Sequence, residues 1–577
     1  MKFKELAVYF QRLESTPKRL EMTDILAELF KKAAHDKKVN IEEIIYLSQG
    51  HLLPSFKNIE FQMSEKLLQK SIVLATDKPG KLVEDMFQKI GDYGKVVQNL
   101  SDIDSKNLSI ADVYKKLTEL SGFFGSGVVA KKTEYLGILL KSTTPLEAKY
   151  IVRIIMGKLR LGVGDPTHLD SLSFAYNGDK SLRKPLERAY NLCCDLGLVA
   201  KILFSEGIKR IEDFEVIVGC PIRMALAARL AGASEIIEKI GTCAVEAKYD
   251  GFRCQVHKIG NEIQVYSRNL ENTTHMFPEI KEGTLVQIKN KNVIYEGEAI
   301  AYDPRTGECL PFQTTVQRKR KHGIESMRKQ FPLKLFVFDM LYADVDITNK
   351  SYEQRREVMA SVIGKGNVLE VSPARIVKTP QELENIFEES LLDGREGIVA
   401  KRLDGTYKAG GRNFNWIKLK SSYSGELNDT IDCVIVGYYF GKGLRASLGL
   451  GSLLTCVYDK KDEIFKTIAK IGSGLTDAEL VKFRKMLETV KVKTKPAKVD
   501  SILEPDVWVE PKYVIEVQAD EITRSPVHTC GKVHDKDPGY ALRFPRTVDK
   551  IREDKDAEDA TTVNEIINLF NMQGRKK

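Results

Sequence analysis

The chain has 577 residues, of which 42 % are apolar and 29 % charged, with 41 Gly, 19 Pro and a formal net charge of +9. Such composition belongs to globular chains with material for about three or four domains, and it excludes a disordered, collagen-like or coiled-coil protein. The modest positive balance permits a polyanionic partner without requiring one.

No apolar run approaches the roughly 18 residues that a membrane span needs. The most apolar stretch, residues 216–230, is broken by Arg223 and Arg229. The opening Met1-Lys2-Phe3-Lys4-Glu5 has no apolar core of a secretory signal, so a soluble intracellular protein without a membrane partner is expected. The nine cysteines form no Cys-x-x-Cys pair, so no zinc ribbon or thioredoxin-type site is written here.

Residues 1–215 read as mostly helix. Met22, Ile25, Leu26, Leu29, Phe30 and Ala33 recur at three- and four-residue steps, one apolar helix face. Thr144-Pro145-Leu146-Glu147 combines a capping hydroxyl, a first-turn Pro and a Glu three residues after the cap. The helix it opens is expected to run past Val152 and Ile155 to Leu159, and to stop at Gly162-Val163-Gly164-Asp165-Pro166. From about residue 235 short strand-like runs alternate with Gly, Asn and Asp turns: 262–266, 293–302, 333–342 and 397–401. They suggest an α+β domain on antiparallel sheets, spanning 216–425. Residues 426–577 hold runs at 431–439, 453–458, 464–468 and 514–517, with Asp459-Lys460-Lys461-Asp462 as a hairpin turn, and suggest a small β-barrel. A short helix over 563–570 and a basic tail close the chain.

No Gly-Lys pair is followed by Ser or Thr, which argues against a P-loop. Gly441-Lys442-Gly443 reads as a tight turn, not a dinucleotide fingerprint. The informative stretch is Glu246-Ala247-Lys248-Tyr249-Asp250-Gly251-Phe252-Arg253. A strand delivers a lysine into an Asp-Gly turn, with an arginine five residues on. Lysine attacks electrophiles only as the neutral amine, which a nearby cation or partial burial favours. A solvent-facing lysine on a hairpin is the plain alternative.

This stretch resembles the Lys-x-Asp-Gly-x-Arg motif of ATP-dependent ligases and mRNA capping enzymes. Its companions follow in order: Ser267-Arg268-Asn269, Glu296-Gly297-Glu298, Phe336-Val337-Phe338-Asp339, Glu396-Gly397-Ile398-Val399-Ala400-Lys401 and Trp416-Ile417-Lys418-Leu419-Lys420. Pro221-Ile222-Arg223-Met224-Ala225-Leu226-Ala227 resembles the ligase linker, although the usual Pro before Met is absent. Residues 519–525 and Arg543-Phe544-Pro545-Arg546 resemble the ligase C-terminal domain. The whole chain is thus similar to replicative ATP-dependent DNA ligases of archaeal and eukaryotic type.

The resemblance implies a helical DNA-binding domain, a nucleotidyltransferase (adenylation) domain and an OB-fold barrel. It implies Lys248 as nucleophile toward ATP, and Glu246, on the same strand side, as acceptor for the adenine amino group. It places adenine on Phe338, which is otherwise core packing shared with Phe336. Arg253 and Arg268 suit phosphate and ribose, because a guanidinium makes paired bonds to oxyanions. Glu298 and Glu396 are implied for ribose or Mg²⁺. Lys418 and Lys420 alternate with Ile417 and Leu419, so both are expected to face the α-phosphate; Arg412 joins the nucleotide-binding set, and Trp416 is equally suited to packing. Lys158, Arg160 and Gly162 are implied to meet the minor groove of nicked duplex DNA, which reads shape and not sequence. Arg318-Lys319-Arg320-Lys321 reads as a DNA-facing loop. Arg543 to Arg546, with Arg552 and Lys555, is implied as a lid over the triphosphate, against a solvated tail interleaved with Glu553, Asp554, Asp556, Glu558 and Asp559. ATP is expected in place of NAD, since the four-cysteine zinc site of NAD-dependent ligases is missing. A monomer in the cytoplasm is expected (nuclear only for a eukaryotic source), and a sliding clamp is a candidate partner. The rivals are an RNA ligase or mRNA guanylyltransferase, which needs no 215-residue helical region, and a non-catalytic scaffold, against which intact Lys248, Glu298, Glu396 and Lys418 argue.

Overall fold

In the first helix, Phe3–Glu14, the residues Phe3, Leu6, Phe10 and Leu13 fall on one face and are all buried. The same spacing carries Arg19–His35, whose buried face holds the apolar residues of the 22–33 pattern. The structure, a computed structural model, describes the chain apart from residues 58, 103–106, 231, 311, 319–322, 394, 421–429, 442–447, 535–536 and 574–577. Lys319 to Lys321, Gly441-Lys442-Gly443 as a unit, the expected boundary at 425/426 and the basic tail fall outside the described residues. The chain forms two compact units, Met1–Lys418 and Leu419–Lys577.

Helices follow one another from Phe3 to Glu212 in the first unit. The capping box at Thr144 forms as the sequence predicts: Glu147 returns a carboxylate to the Thr144 N–H at 2.7 Å. The helix Pro145–Ile155 is shorter than expected, however. Gly157 takes a φ of 61°, which turns the chain out of the helix before Leu159.

Two sheets follow. The first has the order Leu226–Arg229, Arg412–Lys420, Gly397–Arg402, Cys243–Lys248, Ala374–Val377. The second has the order Glu262–Ser267, Phe252–Ile259, Asn292–Ala301, Leu333–Ala343, Leu369–Val371. The expected antiparallel pairing holds in the interior, but each sheet carries a parallel pair at one edge. In the second sheet the cause is the connection, because the helix Tyr352–Val362 lies between the paired strands and crossover connections make parallel neighbours. One face of the second sheet packs an apolar core of Val256, Val265, Val293, Tyr295, Leu335 and Val337. The helical core continues through Ile222 and Ala225 to Tyr407 and Trp416 beside the first sheet.

The second unit is β-rich. Ile431–Tyr439, Ser452–Asp459 and Ile464–Ile471 form an antiparallel meander; the turn between the last two runs from Lys460 to Glu463, longer than the hairpin turn expected over 459–462, because Asp459 pairs with Ile464 and Glu463 takes a φ of 54°. Val514–Gln518 pairs with the first of these strands and with Arg546–Ile551. The helix Asp477–Glu488 closes one side with Leu480 and Leu487, and Ile566 of the helix Val563–Gln573 enters the same core.

A buried charge network anchors the helical region. Arg153, 2 % exposed, donates to Asp92 at 2.6 Å and to Glu14 at 3.0 Å. Burial raises the Glu14 carboxyl, but hydrogen bonds from Arg153 and Lys149 outweigh it and hold the group at about 2. A pKa lowered from 4.5 contributes stability above about pH 4.5 that is lost as pH falls toward 2. Arg153→Met leaves Asp92 and Glu14 short of a buried partner and should destabilise this region by about 3–5 kcal/mol at neutral pH. Denaturant unfolding followed by circular dichroism checks this, and the acid-side loss of stability should shrink in the variant.

Candidate active site

The strand Cys243–Lys248 belongs to the first sheet, and after the Asp250-Gly251 turn the strand Phe252–Ile259 belongs to the second. The crossing is tight. A Cβ on Gly251 would collide with the Ala299 carbonyl oxygen and lie 2.9 Å from Ile300. The turn thus requires glycine for close approach. Pairing across the strands puts Glu246 and Lys248 opposite Val399 and Gly397, so that Glu246, Lys248 and Lys401 share one face of the first sheet. In the second sheet Arg253 pairs with Glu298 and Gln255 with Glu296, on the face opposite the apolar core.

Lys248, 22 % exposed, forms an ion pair with Glu396, 14 % exposed. Glu298 is half-buried, and burial pushes its carboxyl up to about 7 against the opposing pull of Lys248 and Arg253. The Arg253 guanidinium donates to the Ala225 carbonyl at 2.7 Å and to Glu296 at 2.8 Å. It stands 5.4 Å from the Phe338 ring centre and 5.5 Å from that of Trp416. Phe338 sits at a β-bulge: Val337 pairs with Gly297 and Asp339 with Glu296, leaving Phe338 without a partner across the strands. Its ring meets Trp416 edge-on at 5.8 Å, while Phe336 stacks on Tyr249 at 4.3 Å. The two rings thus do different things despite lying two residues apart.

The structure therefore brings Lys248 to Glu396 and, with Arg253, to Glu298, while Lys401 joins Glu246 to the Phe338 carbonyl and Trp416 meets the Phe338 ring. Lys418 and Lys420 follow Trp416 at alternate positions of its strand, both half-buried, with Ile417 and Leu419 buried on the other side. Arg412 is exposed at the start of that strand, and Arg268 is exposed just beyond Ser267, which pairs with Cys254 next to Arg253. Lys158, Arg160 and Gly162 lie elsewhere, exposed at alternate positions between buried Leu159 and Leu161. Arg160 has a φ of 60° and bonds the Gly91 carbonyl at 3.2 Å. Arg318 is not DNA-facing: it is buried and donates to Glu279 at 2.5 Å. Arg543 and Arg546 pair with Glu521 and Asp520, and Arg552 and Lys555 converge on Asp432.

Sequence reading missed the groups beneath the site. Glu296, fully buried, accepts from Arg253, from Gln255 at 3.0 Å and from Tyr407 at 3.0 Å. Gln255 bonds both backbone groups of Ile222, and Tyr407 accepts from the Ala225 N–H at 2.9 Å. His257 accepts at Nδ1 from the Gly219 N–H and so donates from Nε2 to Gln255; burial lowers it to about 3, and it stays neutral. Asp339 is held by Arg355 at 2.8 and 2.9 Å. The available signal was a set of polar residues inside otherwise apolar strands, which buried strands retain only when each is paired.

Three family models match: DNA ligase N terminus over residues 2–173, ATP dependent DNA ligase domain over 224–420, and ATP dependent DNA ligase C terminal region over 446–555. The chain belongs to the ATP-dependent DNA ligase family. A "Probable DNA ligase" of Dictyoglomus turgidum is 51 % identical across 100 % of this chain and 99 % of its own length. The DNA ligase of Sulfurisphaera tokodaii is 42 % identical across 100 % and 98 %. The solved structure named Pmar-Lig_PreS3, 18 % identical, covers 95 % of this chain and 99 % of that one with a TM-score of 0.54, and shows the shared fold. The expected fold class is borne out, with a helical N-terminal region, a mixed α/β adenylation region and a β-rich C-terminal region of OB type. The protein is an ATP-dependent DNA ligase, and nick sealing is the general reaction of its family. Among the described residues no helix is long and apolar enough to cross a membrane.

The elevated Glu298 carboxyl is directly measurable in this ligase. Carbon-13 NMR should find it titrating near pH 7, with the charged form growing as pH rises through that value. Arg253→Met removes a cation that lowers this pKa and should move the midpoint further up.

Proposed function

We propose that the enzyme joins the 3′-hydroxyl and 5′-phosphate of nicks in duplex DNA through a covalent Lys248–AMP intermediate and then a DNA-adenylate, in replication, recombination and repair. The observation that carries this reading is Lys248 at the crossing between the sheets, paired with Glu396 and within the field of Glu298 and Arg253. The ion pair with Glu396 must open before the amine can attack. The Lys248 nitrogen then displaces pyrophosphate from the α-phosphate of ATP, forming a phosphoramidate. AMP passes to the 5′-phosphate, and the 3′-hydroxyl displaces it to close the strand. Charge builds on a phosphoryl group in each step, so Arg253, Arg268, Arg412, Lys418 and Lys420 act mainly as electrostatic and positioning groups.

Glu246 accepts from the adenine amino group in this reading, and Phe338 stacks on the ring. Mg²⁺ fits the donor set. Among the described residues no group of three or more His, Cys, Asp or Glu could hold a metal. Two carboxylates, Glu298 and Glu396, with substrate phosphates and water, are nonetheless the usual magnesium environment. When bound there it supplies charge neutralisation at the triphosphate. Residues 1–215, with Lys158, Arg160 and Gly162, grip the duplex; residues 216–425 activate the nucleotide; residues 426–577 form the third domain. The enzyme acts as a monomer in the cytoplasm, and a sliding clamp is a partner to test for.

Incubation with α-labelled ATP and Mg²⁺, without DNA, should leave one covalent AMP, and Lys248→Ala should abolish it in a folded protein. Persistent labelling would move the nucleophile elsewhere. Lys158→Ala and Arg160→Ala should each weaken binding of nicked duplex uniformly across sequences, and each should reduce the slope of log affinity against log salt by about 1. Binding titrations at several salt concentrations read this out; unchanged slopes would remove these cations from the interface.

A further inference from the structure

Lys401 ends the motif that begins with Glu396, yet it has no part in the reaction as proposed. It is 2 % exposed, and burial lowers its ammonium against the opposing pull of Glu246 and Asp339. Its Nζ donates to Glu246 Oε1 at 2.7 Å and to the Phe338 carbonyl at 2.7 Å. The rings of Trp416, Phe338 and Tyr352 stand 4.7, 4.9 and 4.9 Å from it. Burying an ammonium costs free energy that an apolar side chain of the same length would avoid. What the charge does here is specific: it holds a carboxylate of the first sheet and the bulged backbone of the second.

Glu246 is correspondingly constrained. Its Oε1 also accepts from the Tyr352 hydroxyl, and Arg356 lies 3.8 Å away. Its Oε2 makes no hydrogen bond among the described residues.

We infer that Lys401 is the positioning residue of the nucleotide-base site, holding Glu246 with one oxygen occupied and the other free to accept from an exocyclic amino group, while fixing the backbone that carries the Phe338 ring. This rests on the proposed contact between Glu246 and the adenine amino group. A carboxylate offers only acceptors. A base with a carbonyl at the same position, as in GTP, sets its oxygen against Glu246 Oε2, two acceptors with no proton between them, and is rejected.

The test is self-nucleotidylation of the full chain with α-labelled ATP or GTP over a range of concentrations. Lys401→Met should raise KM for ATP more than it lowers kcat, and should cut the ATP-over-GTP preference in kcat/KM by about tenfold. Equal losses for both nucleotides, with the preference unchanged, would reduce Lys401 to a structural part and overturn the inference. Glu246→Gln supplies the control on the underlying reading. If its preference is also unchanged, the base contact itself is wrong; if Glu246→Gln loses preference while Lys401→Met keeps it, only the role of Lys401 fails. Should Lys401→Met lose its native circular dichroism, Tyr352→Phe removes the other donor to Oε1. It should weaken the preference in the same direction, and an unaltered preference there would also overturn the inference.

Discussion

Everything in the site depends on one chain crossing. The Asp250-Gly251 turn carries a strand from one sheet directly into the other, with Gly251 pressed against the Ala299 carbonyl. Because the crossing has no slack, the residues on either side of it are fixed relative to both sheets at once. Lys248 before the turn and Arg253 after it therefore act on the same Glu298. Charges fixed in this way are preorganised, and preorganisation is the source of electrostatic stabilisation in enzyme sites. A looser connection would leave Lys248 and Arg253 to find one another.

The polar layer beneath the site ties that geometry to the helical region. Gly219, Ile222 and Ala225 give their backbone groups to His257, Gln255, Tyr407 and Arg253, all on the second sheet or beside it. Arg223, between them, pairs with Asp165 and lies 3.0 Å from the Tyr190 hydroxyl on the helical side. A segment without regular structure is thereby tied on both flanks, and Ile222 and Ala225 are buried with both backbone groups paired. His257 stays neutral down to about pH 3, so it brings no change of charge to this connection in the physiological range.

The motifs were legible because each is local. A lysine before an Asp-Gly turn, or lysines alternating with Ile417 and Leu419, follow from strand period and turn chemistry. The helix faces and the Thr144 capping box were legible for the same reason. What escaped was whatever depended on partners far along the chain. Arg318 reads as one more cation in a basic run, and only Glu279, thirty-nine residues earlier, shows that it is buried. Arg552 and Lys555 read as a solvated tail or a lid, and the sequence gives no sign that Asp432, 120 or more residues away, takes both. The helix end before Leu159 was missed because apolar spacing continues past Gly157, while the backbone does not.

The bulge at Phe338 has a consequence for how this wall of the site came to be and how it could be lost. Counted along the ladder, Phe338 is surplus: Val337 and Asp339 already take consecutive partners, and inward and outward faces alternate correctly between them. A strand lacking this one residue would keep its register, its apolar core face and the Asp339–Arg355 pair. The ladder itself has no use for the residue; its carbonyl takes the Lys401 ammonium, and its ring meets Trp416 and Arg253. A single-codon deletion would remove the ring and one acceptor of Lys401 together while sparing the strand register, a change that substitutions, which leave the extra backbone unit in place, do not reproduce.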